Sequence, residues 1–253
     1  MPESTLTSTP LRLILAAICA SLVCLVTVMF SVYVPDTHGF FNVGETMIYV
    51  TALLLGPLIG AFAGGAGAGL ADFLLGFWYF APATLIIKAC EGGIVGFLGR
   101  KRPNFRSKTL WKIFTFTIGL AIGLSLAVIG SIYYSGQVEL TIGIPPPPTP
   151  NVVFSLPPAF WYALGGLIIL FITLTGFVLE PEFGWLAFTM LIGGAVMVAG
   201  YFLYENFLLF PLFGIEAVAI AEIPINIGQM LIGLVVALPV FKILRRNLPQ
   251  LKS

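Results

Sequence analysis

Eight apolar segments fill nearly the whole of this chain, at residues 11–34, 45–55, 58–75, 83–98, 110–134, 160–179, 185–209 and 215–244. The hydrocarbon core of a bilayer requires roughly 20 mostly apolar residues per helix, and most of these runs meet that length. Charged residues make up 9% of the sequence and mean hydropathy is +1.03, whereas soluble domains carry about 25% charged residues. So few charges build no water-facing surface. The predicted fold is all-α, a polytopic transmembrane helical bundle of about eight spans, forming one integral membrane domain over residues 1–253. The first run is too long for a signal-peptide core of about 7–15 residues and reads as a retained span. The second is short. It is separated from the third by Gly56-Pro57, where proline cannot continue the hydrogen-bond ladder and glycine lets the chain turn. One kinked helix is the alternative, although the combined run exceeds a single span.

Several function classes are excluded. The net charge of +1 offers nothing to a nucleic acid. Cys19, Cys24 and Cys90 lie in apolar runs without metal-ligand spacing and read as small core hydrophobes. His38 is the single histidine. The glycine-rich tract at 60–69 has no following Lys-Ser or Lys-Thr and is no phosphate loop. Its Gly60/Gly64 and Gly65/Gly69 pairs, repeated by Gly92/Gly96, predict close backbone packing between helices. No cofactor or metal site is predicted.

Basic residues suggest the orientation. Arg100, Lys101, Arg102, Arg106, Lys108 and Lys112 follow the fourth segment, and Lys242, Arg245, Arg246 and Lys252 follow or end the last. The connections at 35–44 and 135–159 contain neither lysine nor arginine. With eight spans and both termini in the cytoplasm, both basic clusters fall inside, so an even number of spans is expected in the cell membrane. The loops bearing Asp36, His38, Asn42 and Trp78 then face outward. Pro145, Pro146, Pro147 and Pro148 predict a stiff, extended polyproline connector within the external loop 135–159.

Polar side chains are unevenly distributed along these spans. Glu45 opens the second segment on the outer side. At a rise of about 1.5 Å per residue, Asp72 lies one turn below the outer end of the third, Lys88 nearly two turns into the fourth, and Glu91 one turn deeper. Tyr201 and Glu205 are four apart near the outer end of the seventh. Glu222, Asn226 and Gln229 follow i, i+4, i+7 spacing and share one helix face. Ionisable groups inside a membrane are costly and usually face a cavity or a path. Their concentration in one leaflet predicts a water-accessible pocket open to the outside. Individual structural roles stay open: Lys88 with Glu91, Asp72 with Lys88, Glu205 at the water interface, or Asn226 serving backbone groups freed by Pro224. Carboxylates outnumber the one buried lysine, so the expected ligand is neutral or cationic and rich in donors. Phe40, Phe41, Trp78, Tyr79 and Phe80 are placed to stack on a heterocycle or to anchor the interface.

The residues Asn42-Val43-Gly44-Glu45, ALLLGPLIG at 52–60, the stretch 67–76, Ala81-Pro82 through Lys88, Glu91-Gly92, Ala199-Gly200-Tyr201, and Glu222-Ile223-Pro224-Ile225-Asn226 with Gln229 resemble the S components of energy-coupling-factor (ECF) vitamin importers. The riboflavin and hydroxymethylpyrimidine branch is the nearest in appearance. The resemblance implies a six-helix bundle that binds a vitamin or precursor at its outer face, with the first interhelical loop as lid. It further implies a transmembrane coupling subunit and two cytoplasmic ATPases as partners. In this family a small-residue stripe on the first helix seats the coupling subunit, and Ala16 and Ala20 match it. The expected substrate-binding set is Asn42, Glu45, Asp72, Trp78, Lys88, Glu91, Tyr201, Glu205, Glu222, Asn226 and Gln229. Two departures stand out. Glu45 occupies a position where the family often has Asp, and a hairpin at approximately 110–179 raises six helices to eight.

The rival reading is a stand-alone secondary transporter coupled to protons through Glu91 and Asp72, although no inverted repeat of broken helices is apparent. An intramembrane hydrolase lacks both clustered zinc ligands and a paired-aspartate motif.

Overall fold

The computed structural model describes residues 9–101, 108–143, 149–178 and 181–247. Arg102, Arg106, Lys252 and Pro145 to Pro148, on which part of the orientation and connector arguments rest, lie outside the described residues.

Each predicted apolar segment is a helix. In chain order these are α1 (Thr9–Met29), α2 (Glu45–Leu55), α3 (Pro57–Leu75), α4 (Ala81–Arg100), α5 (Lys108–Tyr133), α6 (Pro158–Val178), α7 (Pro181–Tyr204), a short α8 (Phe210–Phe213) and α9 (Ala219–Asn247). Six stretches among the described residues are long and apolar enough to cross a membrane, while α2 is a shorter apolar helix. At 11 residues, α2 is about 16 Å long. The break after it is real: Gly56 adopts φ +88°, a left-handed value that favours glycine, and Pro57 starts α3. Arg100 closes this corner, its Nη2 donating to the Leu55 carbonyl at 3.2 Å.

Helices α1, α2, α3, α4, α7 and α9 form the core bundle. Glycines bring α3 and α4 into backbone contact. A Cβ on Gly64 would stand 2.6 Å from the Lys88 carbonyl oxygen, and one on Gly60 would stand 2.9 Å from that of Gly92. The glycine tract therefore packs within the chain. Helices α5 and α6 pack along each other, and α5 lies against α9. They flank the core.

The first segment ends earlier than expected. Its helix stops at Met29, and Val32–Val34 is a strand, β1, paired antiparallel with β2 (Gly39–Phe41). Val-Tyr-Val favours extended backbone, and its apolar character made it indistinguishable from a helical continuation. A 3₁₀ turn over Pro35–Thr37 and His38 at φ +54° reverse the chain. The external connection between α5 and α6 also holds a hairpin, β3 (Gly136–Leu140) with β4 (Val152–Leu156). The two hairpins meet: Tyr33 N donates to the Thr141 carbonyl at 2.9 Å, and Thr141 N donates to the Tyr33 carbonyl at 3.1 Å. Beneath them Val34, Tyr134, Val138 and Ala221 make a small apolar cluster, and the Tyr134 hydroxyl donates to the Ala221 carbonyl at 2.8 Å. The α5–α6 pair is thereby stitched to the first hairpin and to α9.

Candidate functional site: a polar cavity under a hairpin lid

Side chains from α2, α3, α4, α7 and α9 converge beneath the β1–β2 hairpin. They surround about 480 Å³ of atom-free space, part of it open to solvent. Glu45, Asp72, Lys88, Tyr201, Glu205, Glu222, Asn226 and Gln229 all line it, as does Asn42 from the loop before α2. Nine of the eleven predicted substrate-binding residues are thus brought together.

The floor is an ion cluster. Lys88 binds the Glu45 carboxylate directly, and its Nζ stands 3.1 Å from Glu91 Oε2. The Tyr49 hydroxyl donates to Glu91 Oε1 at 2.9 Å. Glu91 is fully buried and sits below the cavity rather than on its wall. It holds Lys88 from beneath. Lys88 thus pairs across helices with Glu45, not with Asp72. Its ammonium also lies 5.6 Å from the Tyr201 ring centroid, a distance suited to a cation–π contact. The Tyr201 hydroxyl hydrogen-bonds the Thr84 hydroxyl at 2.9 Å.

An amide relay forms one wall. Asn42 Oδ1 accepts from the Gly44 N–H at 2.8 Å, which shapes the start of α2. Asn42 Nδ2 donates to Gln229 Oε1, and Gln229 Nε2 donates to Asn226 Oδ1 at 2.8 Å. The i, i+3 spacing of Asn226 and Gln229 on α9 makes that second bond possible. Opposite, α7 ends in a π-helical turn over Glu205–Leu209. Such turns are frequent at functional sites because they break the side-chain register of the helix, and this one begins at the cavity-lining Glu205.

The lid is fixed by aromatic contacts. Phe40 packs on Phe77 with ring centroids 4.9 Å apart, and Tyr33 on Phe77 at 5.7 Å. The Tyr79 hydroxyl donates to the His38 carbonyl at 3.1 Å. Burial and the neighbouring Tyr33 phenol push Tyr79 up to about 12, so it remains a donor throughout the physiological range. Trp78 does not reach the cavity. It is 53% exposed and stands edge-on to Tyr79 and Phe213.

Sequence reasoning missed Thr27, Ile48, Ala68 and Thr84 on the cavity wall, and Tyr49 beneath it. Two of these carried a signal: Thr84, Lys88 and Glu91 continue one i, i+4, i+7 stripe, and Tyr49 lies one turn after Glu45. Ala16 and Ala20 occupy the side of α1 that packs on α3. Ala16 is buried, and a Cβ on Gly67 would strike the Ala20 carbonyl. The outward side of α1 carries Leu13, Ile14, Ile18, Leu22 and Leu25.

A protein-family model described as "ECF-type riboflavin transporter, S component" matches residues 8–176. The chain belongs to this family. It is a multi-pass membrane protein, and the matched residues run from the start of α1 nearly to the end of α6. The walls supplied by α7 and α9 lie beyond the match. A curated relative from Pyrococcus woesei, described as "Uncharacterized protein in gap 3'region", is 42% identical over 79 residues, or 31% of this chain. The chain spans about half the length of that relative, 53%.

Proposed function

We propose that this chain is the substrate-binding subunit of an ATP-driven, ECF-type importer of a small water-soluble vitamin or precursor, such as a flavin, a thiamine pyrimidine or a related amine. The observation that carries this reading is the polar cavity under the lid hairpin, in a chain of the S component family. The ligand sits among Asn42, Glu45, Asp72, Lys88, Tyr201, Glu205, Glu222, Asn226 and Gln229. Glu91 acts through Lys88, and Trp78 flanks the lid. The whole chain is one membrane domain in the cell membrane, with both termini cytoplasmic and the cavity facing outward. The hairpin at approximately 110–179 is an insertion whose external strands brace the lid. The chain is not an enzyme: ATP hydrolysis belongs to two partner ATPases, joined through a transmembrane coupling subunit. Ala16 and Ala20 pack on α3 and do not form the expected seat; docking on α1 falls instead to its outward side, which carries Leu13, Ile14, Ile18, Leu22 and Leu25.

Two measurements on the purified chain test this. Calorimetric titration without ATP, using riboflavin, thiamine and 4-amino-5-hydroxymethyl-2-methylpyrimidine, is expected to give submicromolar binding of one of them. Liposomes containing the chain alone are expected to accumulate none. Failure of all three to bind contradicts the proposal. Proton-driven uptake by the chain alone establishes instead the rival reading of a secondary transporter using Asp72 and Glu91.

A further inference from the structure

The cavity wall carries four carboxylates, from Glu45, Asp72, Glu205 and Glu222, against the single ammonium of Lys88. That ammonium is already engaged by Glu45 and by Glu91 beneath. Among the described residues Glu205 and Glu222 have no such counter-ion. Glu205 is 4% exposed, and neither of its oxygens accepts a hydrogen bond from a described residue. Glu222 is 5% exposed. The Thr37 side chain reaches it, yet its Oε2 has no partner among the described residues. The two carboxylates are close enough to interact electrostatically. The lid backbone lies directly over Glu222, since a Cβ on Gly39 would come within 3.1 Å of Oε1. Phe40, Phe80 and Tyr201 line the same space.

Desolvated carboxylates at one site are unfavourable unless a cation or a shared proton lies between them. A π-helical turn begins at Glu205, and the lid backbone lies over Glu222. The surrounding aromatic faces attract cations as well as flat rings. We propose that the ligand of this cavity is an aromatic heterocycle bearing a positive charge, and that the charge is held between Glu205 and Glu222. This rests on the substrate-binding reading above. It departs from the uncharged flavin named in the family description, and it assigns Glu205 and Glu222 a role distinct from the Lys88 cluster.

The test compares probes that differ in charge on the purified full chain. Thiamine carries a permanent thiazolium cation; its oxidised tricyclic derivative thiochrome and riboflavin are uncharged. Thiamine is expected to bind at least about tenfold more tightly than either. Glu205→Gln and Glu222→Gln are each expected to weaken thiamine binding by roughly thirtyfold, the effect of removing one partner of a desolvated charge pair. Each variant's melting temperature is measured alongside, so that loss of fold is separated from loss of recognition. If riboflavin or thiochrome binds more tightly than thiamine, the charge assignment is overturned while the substrate-binding reading stands. If thiamine affinity is unchanged in both glutamine variants, the carboxylates share a proton and the assignment is likewise overturned. If none of the three compounds binds, the substrate-binding reading itself falls, and this inference with it.

Discussion

Replacing Lys88 with methionine is expected to destabilise the protein by about 3–5 kcal/mol and to abolish ligand binding. The stability loss follows from what is left behind. Lys88 is 3% exposed and neutralises Glu45 and Glu91, which are 1% and 0% exposed. Removing one partner of a buried ion cluster strands the remaining charge, and this is where the cost of about 3–5 kcal/mol arises. Binding fails for a separate reason: Glu45 and Lys88 both line the cavity, and Glu45 loses the group that orients it. The two effects separate in the triple variant Glu45→Gln, Lys88→Met, Glu91→Gln. With no charge left in the cluster, most of the stability is expected to return, because uncharged replacements of a whole buried ion cluster are often neutral or stabilising. Binding is expected to remain absent. Thermal unfolding in detergent micelles and calorimetric titration check both parts. Full binding by Lys88→Met would remove the cluster from any role in recognition.

Gly64→Val is expected to be nearly as damaging, although Gly64 itself does not line the cavity. Its Cα abuts the Lys88 carbonyl, where an added Cβ would stand 2.6 Å away, with Ile48 Cγ2 at 3.3 Å. Backbone cannot rotate aside as a side chain does, so α3 and α4 must separate. Overpacking of this kind costs about 1–3 kcal/mol or more, and it moves the residue that carries the ammonium. A clear drop in melting temperature and at least a tenfold loss of affinity are expected, about 1.4 kcal/mol in binding. Gly93→Ala on α4 is the control. Its Cβ would meet Ala61 Cβ at 3.5 Å and the Pro57 carbonyl oxygen at 4.0 Å, ordinary contacts, and it should leave both properties unchanged. A Gly64→Val protein indistinguishable from that control contradicts the packing described for α3 and α4.

The apolar segments and the one-sided placement of their polar residues were readable from sequence because both follow from helix geometry. A rise of about 1.5 Å per residue gives depth, and i, i+4, i+7 spacing gives a shared face. This is why the spacing alone puts Glu222, Asn226 and Gln229 on one face. Rotation of one helix against another leaves no mark in a single sequence. Lys88 therefore pairs with Glu91, as the i, i+3 spacing allows, and across helices with Glu45, which the spacing does not single out, rather than with Asp72; Glu91 has the expected depth but lies beneath the cavity wall. The strand at Val32–Val34 was hidden by composition, since apolar β-branched residues serve a span and a strand alike. The π-helical turn at Glu205 was hidden more deeply. It changes hydrogen-bond spacing without requiring a particular residue type.

The central claim is that these polar groups form a cup reached from the extracytoplasmic side and closed by the first hairpin. Thr84→Cys, made with Cys19, Cys24 and Cys90 replaced by serine or alanine, tests it most directly. Thr84 is on the cavity wall and 2% exposed, so its modification reports access to the cup. In right-side-out membrane vesicles, a membrane-impermeant maleimide is expected to modify this cysteine from outside, and a bound ligand is expected to slow the reaction. Modification from the cytoplasmic side alone, or only after denaturation, would contradict the account.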